Sequence, residues 1–295
     1  MWTKLRPYVR EFLSGASELF ELYVYTMGAR AYASEMVSLL DPDGTLGLRQ
    51  SDRVLGKEDS TASQTKDLDV ILGSERTTLI IDDSPAVWPQ QESQLLVPRR
   101  YHFFPSSAAR DVSLPTGHKS HLTAADDEPA EAGQLAALLA ALRAIHAHYF
   151  STALGGGAMG VSDPPHVSES VRAVRRRVLA GANLVFSHVI PLEQQRSPES
   201  HAAYRLASEL GATVQSNLDS SVTHLVAGSD QTDKVRWARH HKVPAVSIDW
   251  LASCGYLWRK ADEESMPIQG TVIAKGKPSL PKDVGTLPPP KLETS

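Results

Sequence analysis

Residues 77–85 read TTLIIDDSP, and this stretch decides the fold. Thr77 to Ile81 is a continuous β-prone apolar run without polar alternation. Such a run fits a strand covered on both faces, as in a parallel sheet. Asp82 and Asp83 end it, and Ser84-Pro85 turns the chain. Upstream, residues 22–28 (LYVYTMG) form a second compact apolar run, which ends at Thr26. Between the two runs, a helix is predicted from about Arg30 to Leu40, stopped by the turn residues Asp41-Pro42-Asp43-Gly44. Before them, Pro7 opens a helix in which Val9, Phe12, Leu13, Ala16 and Leu19 recur at helical spacing. Lys66 to Leu72 is short and helix-compatible. Strand, helix, strand in this order predicts an α/β fold with a parallel sheet, which places ligands at the carboxyl ends of its strands.

Three features meet that expectation. Thr26 ends one strand, Asp82 and Asp83 end another, and Lys66 lies between them in sequence. Vicinal carboxylates suit Mg²⁺, a hard cation that takes oxygen ligands. A hydroxyl bonds a phosphoryl oxygen, and an ammonium offsets charge growing on a transferred phosphoryl group. Each residue also has a plainer reading. Thr26 would be a strand-end cap, Lys66 a solvated charge, and Asp82-Asp83 the capping carboxylates of a turn.

Composition narrows the field. The chain has 295 residues, 41% hydrophobic and 22% charged, with a formal net charge of −4, so a strongly basic nucleic-acid footprint is absent and no direct nucleic-acid site is expected. A single cysteine, Cys254, excludes an internal disulfide and a cysteine-rich zinc site and points to a reducing compartment. No apolar run reaches the roughly 18 residues that a membrane span requires.

Residues 5–44 (LRPYVREFLSGASELFELYVYTMGARAYASEMVSLLDPDG) and 65–89 (TKDLDVILGSERTTLIIDDSPAVWP) closely resemble the catalytic domain of TFIIF-associating-type phosphatases of the RNA polymerase II C-terminal domain (CTD). These belong to the haloacid dehalogenase (HAD) superfamily, and the plant CTD phosphatase-like members look nearest. The resemblance implies a Rossmann-like sheet over residues 1–120. It implies that Thr26 binds phosphate, that Lys66 is the lysine of the family's third motif, and that Asp82 and Asp83 hold Mg²⁺. It further implies a protein serine/threonine phosphatase acting on phosphoserine of the heptad-repeat tail through an aspartyl-phosphate, located in the nucleus, with TFIIF as a further partner.

One departure matters. The family's nucleophile and general acid lie in an Asp-x-Asp-x-Thr motif on a strand preceding the helix that LRPYVREFL resembles. Asp41-Pro42-Asp43-Gly44-Thr45 has the literal spacing, but it follows a helix and matches the family's own turn. Asp67-Leu68-Asp69 has no threonine after it. The sheet is therefore expected to be incomplete at its centre, and the chain to be truncated at its N-terminus. The alternative reading is a catalytically silent phosphopeptide-binding adaptor.

Residues 121–168 read as a helical linker followed by a hinge at Gly155-Gly156-Gly157 and Pro164-Pro165, and 269–295 as a disordered tail rich in Lys and Pro. Residues 171–268 resemble a BRCT domain, a small α/β unit, along its whole length: 179–191 (LAGANLVFSHVIP), 203–215 (AYRLASELGATVQ), 222–228 (VTHLVAG) and 232–254 (TDKVRWARHHKVPAVSIDWLASC). By resemblance, Ser187 and Lys234 match the hydroxyl and the lysine with which some BRCT domains bind phosphopeptides. The plainer alternative is an ordinary interaction surface. His188 stands where the family often has glycine. Trp250 and Cys254, four apart, share one helical face and read as core. Arg172, Arg175, Arg176 and Arg177 read as a solvated basic face.

Overall fold

The structure is a computed structural model that describes residues 2–50, 52–61, 64–71, 73–111, 114, 119–155, 164–266 and 268. The proposed tail (269–295) and the centre of the proposed hinge (156–163) lie outside the described residues.

Helix α1 (Val9–Ser17) leads to β1 (Val24–Tyr25), α2 (Arg30–Leu40) and β2 (Val54–Leu55). Ala33 and Val37, four apart on α2, are buried against Leu48 and Val54, so one apolar stripe fixes the helix on its sheet. Asp41 ends α2 and is almost fully buried. Its carboxylate accepts from the amides of Leu46 (3.2 Å) and Leu48 (3.1 Å). The Asp-Pro-Asp look-alike is thus a turn cap whose oxygens are engaged by backbone.

Strands β3 (Ile80–Ile81) and β4 (Leu95–Leu96) follow, then the short helices α3 (Pro105–Ala108) and α4 (His121–Ala124). Among the described residues, the sheet of the first half is two separate parallel pairs, β1 with β2 and β3 with β4. Much of the 77–81 run is not strand, because Glu75–Thr77 closes a 3₁₀ turn.

Helix α5 (Gln134–Gly155) lies within the residues read as a helical linker. Leucine and alanine favour helix, and a helix apolar all round belongs in a core. Leu138, Leu139, Leu142 and Ile145 pack against Phe12 and Ala16 of α1, against Val167, Val171 and Val174 of α6 (Val167–Arg175), and against Trp258. Each such leucine contributes about 1.5–3 kcal/mol by leaving water. The residues expected to join the two halves are the centre of their shared core.

The second half is one four-stranded parallel sheet in the order β6 (Thr213–Gln215), β5 (Asn183–Ser187), β7 (His224–Ala227), β8 (Ala245–Val246). Helices α7 (Ala202–Glu209), α8 (Asp233–His240) and α9 (Ile248–Leu257) complete it. Leu184, Leu225 and Val226 on the central strands are fully buried. Trp250 and Cys254 lie in this core, and burial pushes the Cys254 thiol up to about 11. A thiol so disfavoured as thiolate is structural.

Arg175 also departs from the basic-face reading. It pairs with Glu209 (3.5 Å), lies over the Trp258 ring (5.3 Å), and is pulled below the usual arginine range by burial. Around the same core, His224 is held below its ordinary value of 6.5, chiefly by burial, while Glu263 beside Lys260 is lowered to about 2. Both groups bind protons more readily when unfolded. The His224 contribution is therefore complete above pH 6.5 and declines as pH falls below it, and that of Glu263 declines from pH 4.5 downward. Thermal unfolding followed across pH 7.5 to 4 is expected to show a Tm that falls with acidity, with His224→Gln removing the upper part of the fall.

Candidate functional site

The Lys66 side chain is the junction of the first half. Its ammonium donates to Asp82 Oδ2 (2.6 Å) and to the Tyr25 carbonyl (3.1 Å) and lies over the rings of Tyr25 (5.3 Å) and Trp88 (5.5 Å). The contact to Tyr25 sets it one residue from Thr26 at the end of β1, and the contact to Asp82 sets it at the end of β3. One cation therefore ties the carboxyl ends of two strands that share no backbone pairing. Lys66 is not on a helix. Its amide donates to Val87 O (2.7 Å), and Asp67 takes the Asp69 amide (3.1 Å), a local turn that competes with helix.

Asp82 is occupied on both oxygens. Oδ2 also accepts from the Trp88 indole (3.0 Å), and Oδ1 accepts from the Ser84 amide (2.9 Å). Asp83 is exposed and turned aside; its carboxylate accepts from the Ser84 hydroxyl (3.0 Å), which in turn accepts from Arg100 (2.9 Å). Thr26 accepts from the Gly28 amide (3.1 Å) through its hydroxyl oxygen. Lys66 and Asp82 are thus brought into contact, Thr26 stands beside them, and Asp83 lies on the rim. Sequence reasoning missed Trp88 and Arg100. The first was legible as an indole six residues after Asp82, the second as an arginine just past a strand.

Asp82 and Asp83 supply two carboxylates, fewer than a cage built from protein side chains alone needs, and a Mg²⁺ held here would take its remaining ligands from phosphate and water. Among the described residues, no group of three His, Cys, Asp or Glu side chains is placed to hold a metal ion. Of the two carboxylates present, one is already committed to an ammonium and an indole.

A second site lies at the end of β5. The Ser187 hydroxyl is buried and bonds the Thr232 hydroxyl (2.9 Å), which caps α8 by accepting from the Val235 amide (3.2 Å). Lys234 donates to Phe186 O (3.1 Å) and Ser216 O (3.4 Å), and burial holds its ammonium below the usual lysine range. His188 adopts a left-handed backbone with φ 55, the conformation that glycine takes without strain. The structure brings Ser187 and Lys234 to one strand end and adds Thr232, which was legible as the N-cap residue before Asp233.

The two halves touch. Arg99 donates to the Ser253 hydroxyl (2.9 Å) and lies over Tyr256 (5.2 Å), while Gln134 donates to Tyr256 O (2.7 Å).

An α/β half with a buried Lys66–Asp82 pair at its strand ends, followed by a small parallel α/β domain, is the class that this arrangement defines. Residues 1–128 match the family model "NLI interacting factor-like phosphatase", and residues 189–250 match that of the "twin BRCT domain". The chain is similar to RNA polymerase II C-terminal domain phosphatase-like proteins and shares the HAD-like α/β fold of a solved relative. It is 40% identical to RNA polymerase II C-terminal domain phosphatase-like 4 of Arabidopsis thaliana over 91% of this chain and 58% of that protein. It is 38% identical to RNA polymerase II C-terminal domain phosphatase-like 3 of the same plant over 89% of this chain and 21% of the relative. The structure of Fcp1, described as an essential RNA polymerase II CTD phosphatase, superposes with a TM-score of 0.63 at 26% identity, covering 90% of this chain and 80% of that one. The chain thus spans little more than half the length of the first of these relatives, and much less of the second.

Proposed function

We propose that this chain carries part of a nuclear protein serine/threonine phosphatase site that acts on phosphoserine in the heptad-repeat tail of RNA polymerase II. The observation that supports this reading most is the Lys66 bridge between the ends of β1 and β3. A buried ammonium fixed between a carboxylate, a carbonyl and two rings is pre-set to neutralise charge on a phosphoryl group. Thr26 would bind a phosphoryl oxygen, and Asp82 would hold the lysine in place. Mg²⁺ with Asp82 and Asp83 as its ligands is part of the proposal on the resemblance alone. The attacking and proton-transferring carboxylates have no counterpart in residues 1–295.

The reading predicts negligible turnover by this chain on a phosphorylated heptad peptide with Mg²⁺. Turnover that requires Mg²⁺ and is lost in Asp82→Asn would overturn the assignment of the missing nucleophile.

A second reading has its own observation. Ser187, Thr232 and Lys234 form one polar cluster at the amino end of α8, suited to an adaptor that captures phosphopeptide. A dianionic phosphate would offset the desolvation that now disfavours the Lys234 charge. Lys234→Met is expected to weaken phosphopeptide binding at least about tenfold, as loss of one charge-assisted hydrogen bond does, and Ser187→Ala by somewhat less. Titration by fluorescence anisotropy, with the unphosphorylated peptide as the control, checks both. Equal affinity for the two peptides would remove this reading. TFIIF as a partner is part of the proposal, on the resemblance alone.

A further inference from the structure

The chain holds two Ser-Pro dipeptides, Ser84-Pro85 and Ser197-Pro198, and no Thr-Pro. They stand in opposite surroundings. Ser84 is half-buried, and its hydroxyl is held between the Asp83 carboxylate (3.0 Å) and Arg100 (2.9 Å). Ser197 is exposed, as are its neighbours Gln195, Arg196 and Glu199. Short-range hydrogen bonds shape the loop that carries it. The Gln194 amide donates to Pro191 O (3.0 Å), that of Ser197 to Gln194 O (3.1 Å), that of Ser200 to Ser197 O (3.0 Å), and that of His201 to Pro198 O (3.0 Å). An exposed loop held by such bonds opens at little cost, because water replaces what opening breaks. Proline at 198 disfavours helical backbone at the residue before it, and Ser197 has φ -138 and ψ 63, outside the helical region. Proline also brings no amide hydrogen, so Ser-Pro fits an apolar enzyme pocket that would leave the N–H of another residue unpaired.

Topology sets where this loop stands. Strands β5 and β6 are parallel neighbours joined through α7, so α7 starts near the carboxyl end of β5 and runs back. Strand β7 is parallel to β5 as well, and α8 follows it. The connection 188–201 therefore lies at the strand end that carries Ser187, Thr232 and Lys234. Within 191–200, Arg196 favours an added dianion while Glu193 and Glu199 oppose it, so the loop does not neutralise one. We propose that Ser197 is a phosphorylation site for a proline-directed serine kinase, and that the added phosphate weakens capture of phosphopeptide at the Ser187–Lys234 cluster by like-charge repulsion. Ser197 Oγ attacks the γ-phosphorus of ATP. The Oγ–P bond forms, the bond from that phosphorus to the β-γ bridging oxygen breaks, ADP leaves, and the hydroxyl proton passes to the catalytic carboxylate of the kinase. The modification stands on the loop alone. Its effect on binding rests on the adaptor reading of the cluster.

The test uses the full chain, a cyclin-dependent kinase as the proline-directed enzyme, and ATP. Intact mass is expected to show a single added phosphoryl group, and peptide mapping to place it on Ser197. Ser197→Ala is expected to abolish the label, and Pro198→Ala to slow labelling at least about tenfold, as an N–H left unpaired in the kinase does. Absence of label overturns the proposal. So does label on Ser84 or elsewhere that persists undiminished in Ser197→Ala. Phosphopeptide affinities of the modified and unmodified chains are then compared by fluorescence anisotropy. The modified chain is expected to bind about threefold more weakly, the effect of two dianions roughly one Debye length apart, and the difference is expected to vanish in about 1 M salt. Equal affinities, with the unmodified chain still preferring the phosphorylated peptide, overturn the regulatory half of the proposal. If the unmodified chain binds phosphorylated and unphosphorylated peptide alike, the adaptor reading fails and the regulatory half falls with it, while the labelling result judges the modification separately.

Discussion

Lys66→Met is expected to destabilise the first half by about 3 kcal/mol, the low end of the cost of breaking a buried ion pair by removing one partner. The side chains of Lys66 and Asp82 are only 9% and 14% exposed. Methionine keeps most of the stem, so packing against Tyr25 and Trp88 is largely retained, and the loss is electrostatic. It leaves the Asp82 carboxylate with only the Trp88 indole and the Ser84 amide, and it leaves the Tyr25 carbonyl without its donor. Asp82→Asn leaves the complementary fault, an ammonium with a carbonyl and two rings but no counter-charge. The double variant removes both charges and is expected to be more stable than the sum of the single effects by at least about 1 kcal/mol. Urea unfolding followed by tryptophan fluorescence measures all three. Single variants within about 0.5 kcal/mol of the parent, the range of unremarkable surface changes, would show that the pair is a surface ornament and not the clamp between β1 and β3.

The second half was legible as a small α/β unit through its resemblance to a BRCT domain. The stretches of residues 179–254 that resemble a BRCT domain fall on the elements from β5 to α9. In the first half, the sequence located strand ends better than strand lengths. The run 22–28 yielded Thr26, and the run 77–85 yielded Asp82 at a strand end. It did not show that β3 would shrink to Ile80–Ile81. A buried parallel strand draws much of its stability from the neighbours on both edges, and one edge here has none among the described residues. Lys66 was found by its place in a motif and mis-set on a helix, since short polar segments carry little periodicity. The role of α5 was unreadable for another reason. An Ala/Leu-rich stretch looks the same whether it spans a gap or fills a core, and only Phe12, Val171 and Trp258 around it settle which. Arg175 was misread likewise, because its partners Glu209 and Trp258 are distant in sequence.

The shared core has a functional consequence. Arg99 reaches Ser253 in the second half, while the adjacent Arg100 holds Ser84 beside Asp83. The polar cluster at Ser187 and the Lys66 site therefore belong to one packed body, not to two domains on a free tether. A ligand held at one site would meet the other at a set distance, which limits the peptide lengths able to engage both.

That rigidity depends on α9, and Trp250 anchors α9. Its side chain is fully buried, its indole donates to Ala261 O (2.9 Å), and its ring stacks on His224 at 5.0 Å. Trp250→Ala is expected to cost about 4 kcal/mol, since replacing a buried tryptophan by alanine removes its transfer energy and leaves a cavity. Trp250→Phe refills much of the space but leaves the Ala261 carbonyl unpaired, at about 1–2 kcal/mol. Because Ser253 and Tyr256 on the same helix hold Arg99 and Gln134, loosening α9 releases the interface as well. Hydrogen exchange in the Trp250→Ala variant is expected to speed up not only in α9 but also in α5, which packs against it. If the second half loses stability by the expected amount while α5 keeps its parental protection, the two halves fold as independent units, and the picture of a single packed body is wrong.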